Sequence, residues 1–486
     1  MNRPIRNLSV ACLVMFLALL ANVNFVQYVQ ADSLNAKDGN RRVIDEQFSR
    51  DRGPILVDGQ PIAESVASKD QYKFQRRYPD AGLYAQITGY FSYIYGFGGL
   101  ERTQNKVLSG DDNRLFVNRV VDLLSNKQPA GGSVELTLDP LAQKTAAEGL
   151  QALGRDTKGS VVAINPSTGE ILAMVSQPTY DPNRLASHDF SAVQDAWDDL
   201  TTREDQPMTN RGTQQILPPG STFKLVTAAA ALENGVVDDL DDRISAGATL
   251  SFPGIQYKLV NENGSNCGGN EITFQRALEI SCNTAFGGLA GDIGQDKLDE
   301  QAAKFGFGTD PLAELPLSPS RFTTDGTELE APQLAQSGIG QYEVAATPLQ
   351  MAMVAAGIAN DGEVMRPYIV DTVRAPNLEV IDKFEPQSFG RALSETNARK
   401  LQQMMISTVE RGTATSAQIS GVDVGGKTGT AQSTEDRPPY AWFVSFAPDV
   451  AVAVVIESSD TERSEIAGGR LAGPIARAVM EAVLGR

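Results

Sequence analysis

The chain has 486 residues, enough for two or three domains, and 41% of them are hydrophobic, an ordinary supply for a large core. Its 60 acidic against 42 basic residues leave a formal net charge of −18, which argues against nucleic acid or anionic lipid as partners of the body. A single histidine makes a histidine-rich metal site implausible, and no metal or cofactor is expected.

Arg3 and Arg6 precede an apolar run over residues 8–21, and a more mixed stretch continues to residue 29. The apolar part alone has signal-peptide length; with its extension it approaches a membrane span. Basic residues on its N-terminal side keep that end in the cytoplasm. Val29-Gln30-Ala31 is the one plausible cleavage site, and its distance from the apolar core favours an uncleaved anchor. The expected location is a cell membrane crossed once, with the body extracytoplasmic. Cys12 falls in the apolar segment, which leaves Cys267 and Cys282 as the exported pair, either a disulfide or two free thiols.

Residues 31–40 read as a polar linker. Arg52-Gly53-Pro54-Ile55-Leu56-Val57 reads as a short strand entering a turn at Asp58-Gly59. The tyrosine- and glycine-rich stretch 68–100 reads as extended and partly exposed. Residues 112–125 have helical apolar spacing, and a turn follows at 127–132. The spacing predicts a strand over 134–138 and a helix to about 153, with Asp139 as its cap and Pro140 in its first turn.

A second domain opens at Gly159 with a hairpin, residues 160–164 and 170–175 around a turn at 165–169. A long, mostly helical stretch with a few short strands follows. His188, in polar surroundings, reads as a solvated loop histidine. Strands are predicted again at 422–432, 442–447 and 450–457, and a last helix at about 472–484. The order implies an α+β fold with an antiparallel sheet and a helical body, preceded by a smaller mixed domain. The expected division is 1–30 for the tip and anchor, 31–155 for the N-terminal domain and 156–486 for the catalytic domain.

Three strings carry chemistry, and only their ordered combination is specific. Ser221-Thr222-Phe223-Lys224 follows Pro218-Pro219-Gly220 and leads into an apolar helical run. Ser221 thus sits near a helix N-terminus, where free N–H groups stabilise an oxyanion. Lys224, one turn on, enters a buried helix; burial lowers its pKa and makes it a base for the Ser221 proton. Taken alone, the string reads rather as a serine cap and an ordinary surface lysine. Ser281-Cys282-Asn283 adds a hydroxyl for proton relay and an amide for a peptide carbonyl, or two helix caps. Lys427-Thr428-Gly429 follows Gly425-Gly426 on a predicted strand, where glycine marks close approach of another backbone. Lys427 and Thr428 would hold a carboxylate, and the Thr430 N–H would complete the oxyanion hole with that of Ser221.

At these residues the chain resembles the class B penicillin-binding proteins. Arg52-Gly53 with Asp58-Gly59, Gly99-Leu100-Glu101, Leu136-Thr137-Leu138-Asp139, Asn165-Pro166-Ser167-Thr168-Gly169-Glu170, Asn210-Arg211, Gly340-Gln341 and Thr347-Pro348-Leu349-Gln350 match further family segments in order. The resemblance covers nearly the whole chain, and the short N-terminal domain and tyrosine-rich segment are most similar to actinobacterial members. It implies attack by Ser221 on the penultimate D-Ala carbonyl of a peptidoglycan stem peptide, on lipid-linked or nascent strands. Lys224 is the implied base, Ser281 the relay, and Asn283, Lys427, Thr428 and Gly429 the binders. β-Lactams are implied as covalent inhibitors, and a SEDS-type glycosyltransferase with division or elongation proteins as partners. A class A β-lactamase would add Glu-x-x-Leu-Asn, whereas the nearest string is Glu314-Leu315-Pro316-Leu317-Ser318. A β-lactam sensor would carry more spans, and a degenerate scaffold would not keep all three strings.

Overall fold

The computed structural model describes residues 2–30, 33–34, 41–115, 130–324, 326–431, 438–462 and 465–486. Helix α1 (Asn2–Asn24) runs into a π-helical turn at Phe25–Val29. Among the described residues, Arg3–Val29 is the one helical stretch long and apolar enough to cross a membrane, and none of it is buried against the body. Most of the expected linker over 31–40 and residue 31 of the candidate cleavage site lie outside the described residues.

Strand β1 (Ile55–Val57) enters the expected turn, with Asp58 and Gly59 both at positive φ, and β2 (Gln60–Ala67) returns from it as a hairpin. Strand β3 (Phe74–Arg77) continues it. The segment 68–100 is not the extended, partly exposed stretch its composition suggests. It contains helix α2 (Ala81–Thr88), and Tyr78, Tyr84, Ile87 and Phe91 are buried. Tertiary burial overrides the weak local signal of a two-turn helix. Of the helix expected at 112–125, the described part holds only a 3₁₀ turn, Asn113–Leu115; residues 116–125, and 127–129 of the following turn, lie outside the described residues.

Two family-like strings of this segment meet in its core. Arg52 Nε and Arg76 Nε each donate to the Glu101 carboxylate over 2.6 Å, and the Tyr78 hydroxyl joins them at 3.1 Å. All four side chains are buried. Burial alone would raise the Glu101 pKa, but the two guanidinium groups outweigh it and hold the carboxyl below its usual range.

Strand β4 (Ser133–Leu136) leads to helix α3 (Pro140–Gln151), where Asp139 accepts from the Ala142 N–H at 2.8 Å as the cap predicts. Strands β5 (Lys158–Ile164) and β6 (Ile171–Gln177) make the next hairpin. Helix α4 (Lys224–Glu233), helix α5 (Phe274–Glu279) and helix α6 (Asn283–Ile293) belong to the helical body, with helix α7 (Pro348–Ala359) buried over nearly its whole length. Strands β7 (Val370–Arg374) and β8 (Val380–Lys383) follow, then helix α8 (Glu395–Arg411). Strands β9 (Gly425–Ala431), β10 (Tyr440–Ala447) and β11 (Val450–Ser458) form the expected meander, and helix α9 (Gly468–Val483) ends it. Residue 432 of the predicted strand lies outside the described residues. Helix α9 starts one turn earlier than its apolar pattern implies. Its first residue, Gly468, lies so close to Trp442 that a Cβ would fall 1.9 Å from the Trp442 carbonyl oxygen.

The five-stranded antiparallel sheet has the order β9-β10-β11-β5-β6. Helices α3 and α9 cover one face, and α7 covers the other. With helices on both sides, β11 reads as an apolar run, Val450-Ala451-Val452-Ala453-Val454-Val455-Ile456, rather than an alternation. Strand β9 lies at the sheet edge. A six-stranded sheet has the order β8-β7-β4-β1-β2-β3, so β7, far along the chain, pairs with β4 of the N-terminal segment, and β8 extends the sheet beyond it.

His188 is not solvated. Its side chain is 11% exposed, its Nδ1 pairs with Asp70, and its ring lies 4.9 Å from that of Tyr72. Its Nε2 is buried with no hydrogen-bond partner among the described residues. The partner lies 118 positions away, which local sequence cannot reveal.

Candidate active site

Ser221 lies in a 3₁₀ turn, Gly220–Phe223, that feeds directly into α4. Two features fix this turn. Gly220 has φ +54° and donates its N–H to the Gly340 carbonyl at 2.9 Å. Gly340 has φ +74°, and a Cβ there would fall 2.1 Å from the Gly220 carbonyl oxygen. Glycine is required at this crossing. The Thr222 hydroxyl donates to the Pro219 carbonyl at 2.7 Å and closes the turn.

Lys224 is the first residue of α4 and is fully buried. Its Nζ lies 2.7 Å from the Ser281 carbonyl oxygen, 2.7 Å from Asn283 Oδ1 and 3.2 Å from Ser281 Oγ. Burial depresses its pKa well below the usual lysine value, and the Lys427 charge depresses it further; Glu262 opposes them. A neutral amine has two N–H donors, which match the two close carbonyl-type acceptors. Its lone pair is then left to accept a proton.

Lys427 projects from edge strand β9 and is also fully buried. Its Nζ donates to Ser281 Oγ at 2.8 Å and to the Thr428 carbonyl at 2.9 Å. Burial lowers its pKa to about 7, with Glu262 pulling the other way. Ser281 has φ +60°, a left-handed conformation uncommon for serine. Its own N–H bonds to the Leu278 carbonyl and the Cys282 N–H to that of Ala277, which sustains the turn. Cys267 and Cys282 are joined as a disulfide with Cα atoms 5.9 Å apart. Asn283 also donates through Nδ2 to the Val260 carbonyl at 3.2 Å.

Ser221, Ser281, Asn283, Thr428 and Thr430 line one cleft of about 560 Å³, so the three strings converge. Gly429 packs against the turn that carries Ser221; a Cβ there would lie 2.9 Å from Thr222 Cγ2 and 3.0 Å from the Pro219 carbonyl oxygen. The cleft also contains residues that the strings do not announce. Thr413 lines it with its hydroxyl 2.8 Å from Thr428 Oγ1. Gly412-Thr413-Ala414 repeats the composition of Gly429-Thr430-Ala431, the one trace that sequence offers. Tyr257, Val260 and Glu262 form a further wall, and Gln336, Ile339 and Gln341 face the same space. Among the described residues no cluster of metal-ligating side chains occurs.

Residues 159–481 match the penicillin binding protein transpeptidase domain model, and residues 52–134 match the penicillin binding protein A dimerisation domain model. The chain is 42% identical over its whole length to the peptidoglycan D,D-transpeptidase PbpA of Mycolicibacterium smegmatis, covering 99% of that protein. It is 39% identical to the Mycobacterium tuberculosis protein of the same name, again over 100% of this chain and 99% of the relative. The penicillin G acyl-enzyme structure of M. tuberculosis penicillin-binding protein A aligns at a TM-score of 0.84 and 40% identity, over 90% of this chain and 100% of that one. With its family model matched over most of its length and full-length relatives at this identity, the chain belongs to the penicillin-binding protein transpeptidase family.

Proposed function

We infer that Ser221 is the acylated nucleophile of a peptidoglycan D,D-transpeptidase that cross-links stem peptides. The observation that carries the residue roles is the meeting of Lys224 and Lys427 on one hydroxyl, Ser281, in the cleft that Ser221 lines.

Neutral Lys224 takes the Ser221 proton as Oγ attacks the penultimate D-Ala carbonyl carbon. The N–H groups of Ser221 and Thr430 receive the negative charge that forms on the carbonyl oxygen. The C–N bond breaks, the terminal D-Ala leaves as an amine, and the proton reaches it from Lys224 through Ser281. An amine of a second stem then attacks the ester carbonyl; a new amide forms and Ser221 Oγ regains its proton. Asn283, Lys427 and Thr428 hold the donor peptide and its carboxylate, and Gly429 lets the edge strand approach the nucleophile turn. A β-lactam undergoes the first half alone: its ring C–N bond opens, but the amine stays tethered and blocks the acceptor.

Residues 31–155 act as the non-catalytic N-terminal domain and 156–486 as the transpeptidase domain, a division that the two family matches support. The apolar N-terminal helix supports a single-pass anchor. Arg3 and Arg6 favour a cytoplasmic N-terminus, and the Cys267–Cys282 bridge fits an oxidising, extracytoplasmic compartment. A SEDS-type glycosyltransferase and division or elongation proteins are the partners that the family suggests. N-terminal sequencing of membrane-extracted protein tests the anchor: a mature chain starting near residue 32 overturns it.

Labelled penicillin tests the nucleophile. Peptide mapping should place the label on Ser221, and Ser221→Ala should abolish it while the circular dichroism spectrum is kept. Persistent labelling of that variant overturns the assignment.

A further inference from the structure

We propose that Glu262 captures the acceptor: its carboxylate holds the ammonium of an aliphatic side-chain amine at the mouth of the cleft, before that amine attacks the acyl-enzyme. This rests on the transpeptidase reading above.

The loop that carries Glu262 is built as a wall. Its strand, Lys258–Val260, pairs with Thr249–Ser251. Asn261 is buried, and its Nδ2 reaches the carbonyl oxygens of Ser265 at 2.9 Å and Gly247 at 3.1 Å. Its Oδ1 accepts the Thr284 N–H at 2.9 Å. Asn283 is tied to the Val260 carbonyl, and the disulfide ties Cys267 to Cys282. Three connections thus fix this loop to the turn that presents Ser281. Glu262 follows the buried Asn261 and is exposed in the same cleft as Ser221.

The surroundings of Glu262 fit a cation on an apolar arm. Tyr257 and Val260, 41% and 50% exposed, stand beside it on the same wall. They offer apolar surface for methylene groups, and the tyrosine ring offers a face to an ammonium. Among the described residues the Glu262 carboxylate accepts no hydrogen bond and forms no close ion pair, although both buried lysines feel its charge. In this reading a donor stem is held at its terminal carboxylate, by Lys427 and Thr428. An acceptor brings an amine that is protonated at neutral pH. Capture makes no covalent bond; the ammonium gives one proton to water before the free amine attacks the ester.

The test uses the full chain, a thioester donor analogue, and as acceptor a stem-peptide analogue whose diamino residue has a free side-chain amine. The readout is the ratio of aminolysis to hydrolysis of the same acyl-enzyme, which cancels changes in acylation. Glu262→Gln should raise the acceptor KM about fivefold, with Glu262→Lys worse and Glu262→Asp partly restored. Added salt should lower the ratio in the parent but not in Glu262→Gln. An unchanged acceptor KM in Glu262→Gln and Glu262→Lys overturns the proposal. So does a loss that Glu262→Asp does not restore and that follows a shifted pH profile of penicillin acylation, since the carboxylate would then act on the lysines alone. Penicillin acylation of the parent is read in parallel: its absence overturns the proposed function itself, whereas intact acylation with an unchanged acceptor KM overturns only the role of Glu262.

Discussion

Lys427 donates to the hydroxyl of Ser281 across 2.8 Å, so the edge strand and the turn that carries Ser281 are joined by one hydrogen bond inside the cleft. Lys224 stands 3.2 Å from the same oxygen. The charge of Lys427 adds to burial in lowering the Lys224 pKa. Removing it with Lys427→Ala lets the Lys224 pKa rise, and the pH at which acylation accelerates should move upward. Lys427→Arg should keep the profile better, because it keeps the charge. Lys224→Arg should lose about 100-fold or more in acylation, since guanidinium cannot serve as a base. The rate of penicillin acylation against pH decides both points. Parental rates in Lys224→Arg would remove Lys224 as the base, and an equal loss at every pH in Lys427→Ala would leave Lys427 a binding role only.

Glu279, two residues before Ser281, should make stability fall in acid. Burial would raise its pKa, but hydrogen bonds from Ser407, Gln275, Arg276 and Arg411 win and hold it at about 2. Its folded pKa lies below its unfolded value, so its contribution is full above about 4.5 and is lost as pH falls toward 2. Glu279→Gln should cost about 2 kcal/mol at neutral pH. The gap to the parent should narrow in that acid window. Urea unfolding at several pH values checks this, and a constant gap would contradict it. The Glu279 backbone carbonyl, which accepts the Thr413 N–H at 3.1 Å, is kept in that variant.

The Cys267–Cys282 bridge closes a sequence separation of 15 residues. Replacing both cysteines by alanine should cost about 3 kcal/mol in the chain-entropy account. Acylation should slow too, since the loop that receives the Asn283 side chain loses one of its ties. Non-reducing peptide mapping of protein purified under oxidising conditions checks the bond; two free thiols would refute it.

Glu101 balances Arg52 and Arg76 in the N-terminal core. Glu101→Gln leaves two guanidinium groups buried without an anion and should destabilise by about 3–5 kcal/mol. Chemical denaturation measures this. A loss below about 1 kcal/mol would mean that the arginines find water or new partners.

The three strings are legible in sequence because each carries its own local geometry. Ser221 and Lys224 are one turn apart, Ser281 and Asn283 share a turn, and Lys427 lies in a glycine-marked strand. The cap at Asp139 and the turn at Asp58-Gly59 are legible for the same reason. Glu262 and Thr413 are not, because they reach the cleft only through long-range ties, Asn261 to Thr284 and Glu279 to Thr413. His188 hides a partner from another segment. Residues 370–383 read as part of the catalytic body, yet their strands complete the N-terminal sheet, a pairing that no local pattern encodes.

A pull on the N-terminal segment would not simply unwind a linker. Strand β4 pairs with β1 on one side and with β7 on the other, so tension loads many interstrand hydrogen bonds at once. The load reaches the body at residues 370–383 and also along the chain itself, through helix α3 into β5 of the sheet whose edge carries Lys427. A load on the N-terminal segment is thus shared between the two sheets rather than borne by a single hinge.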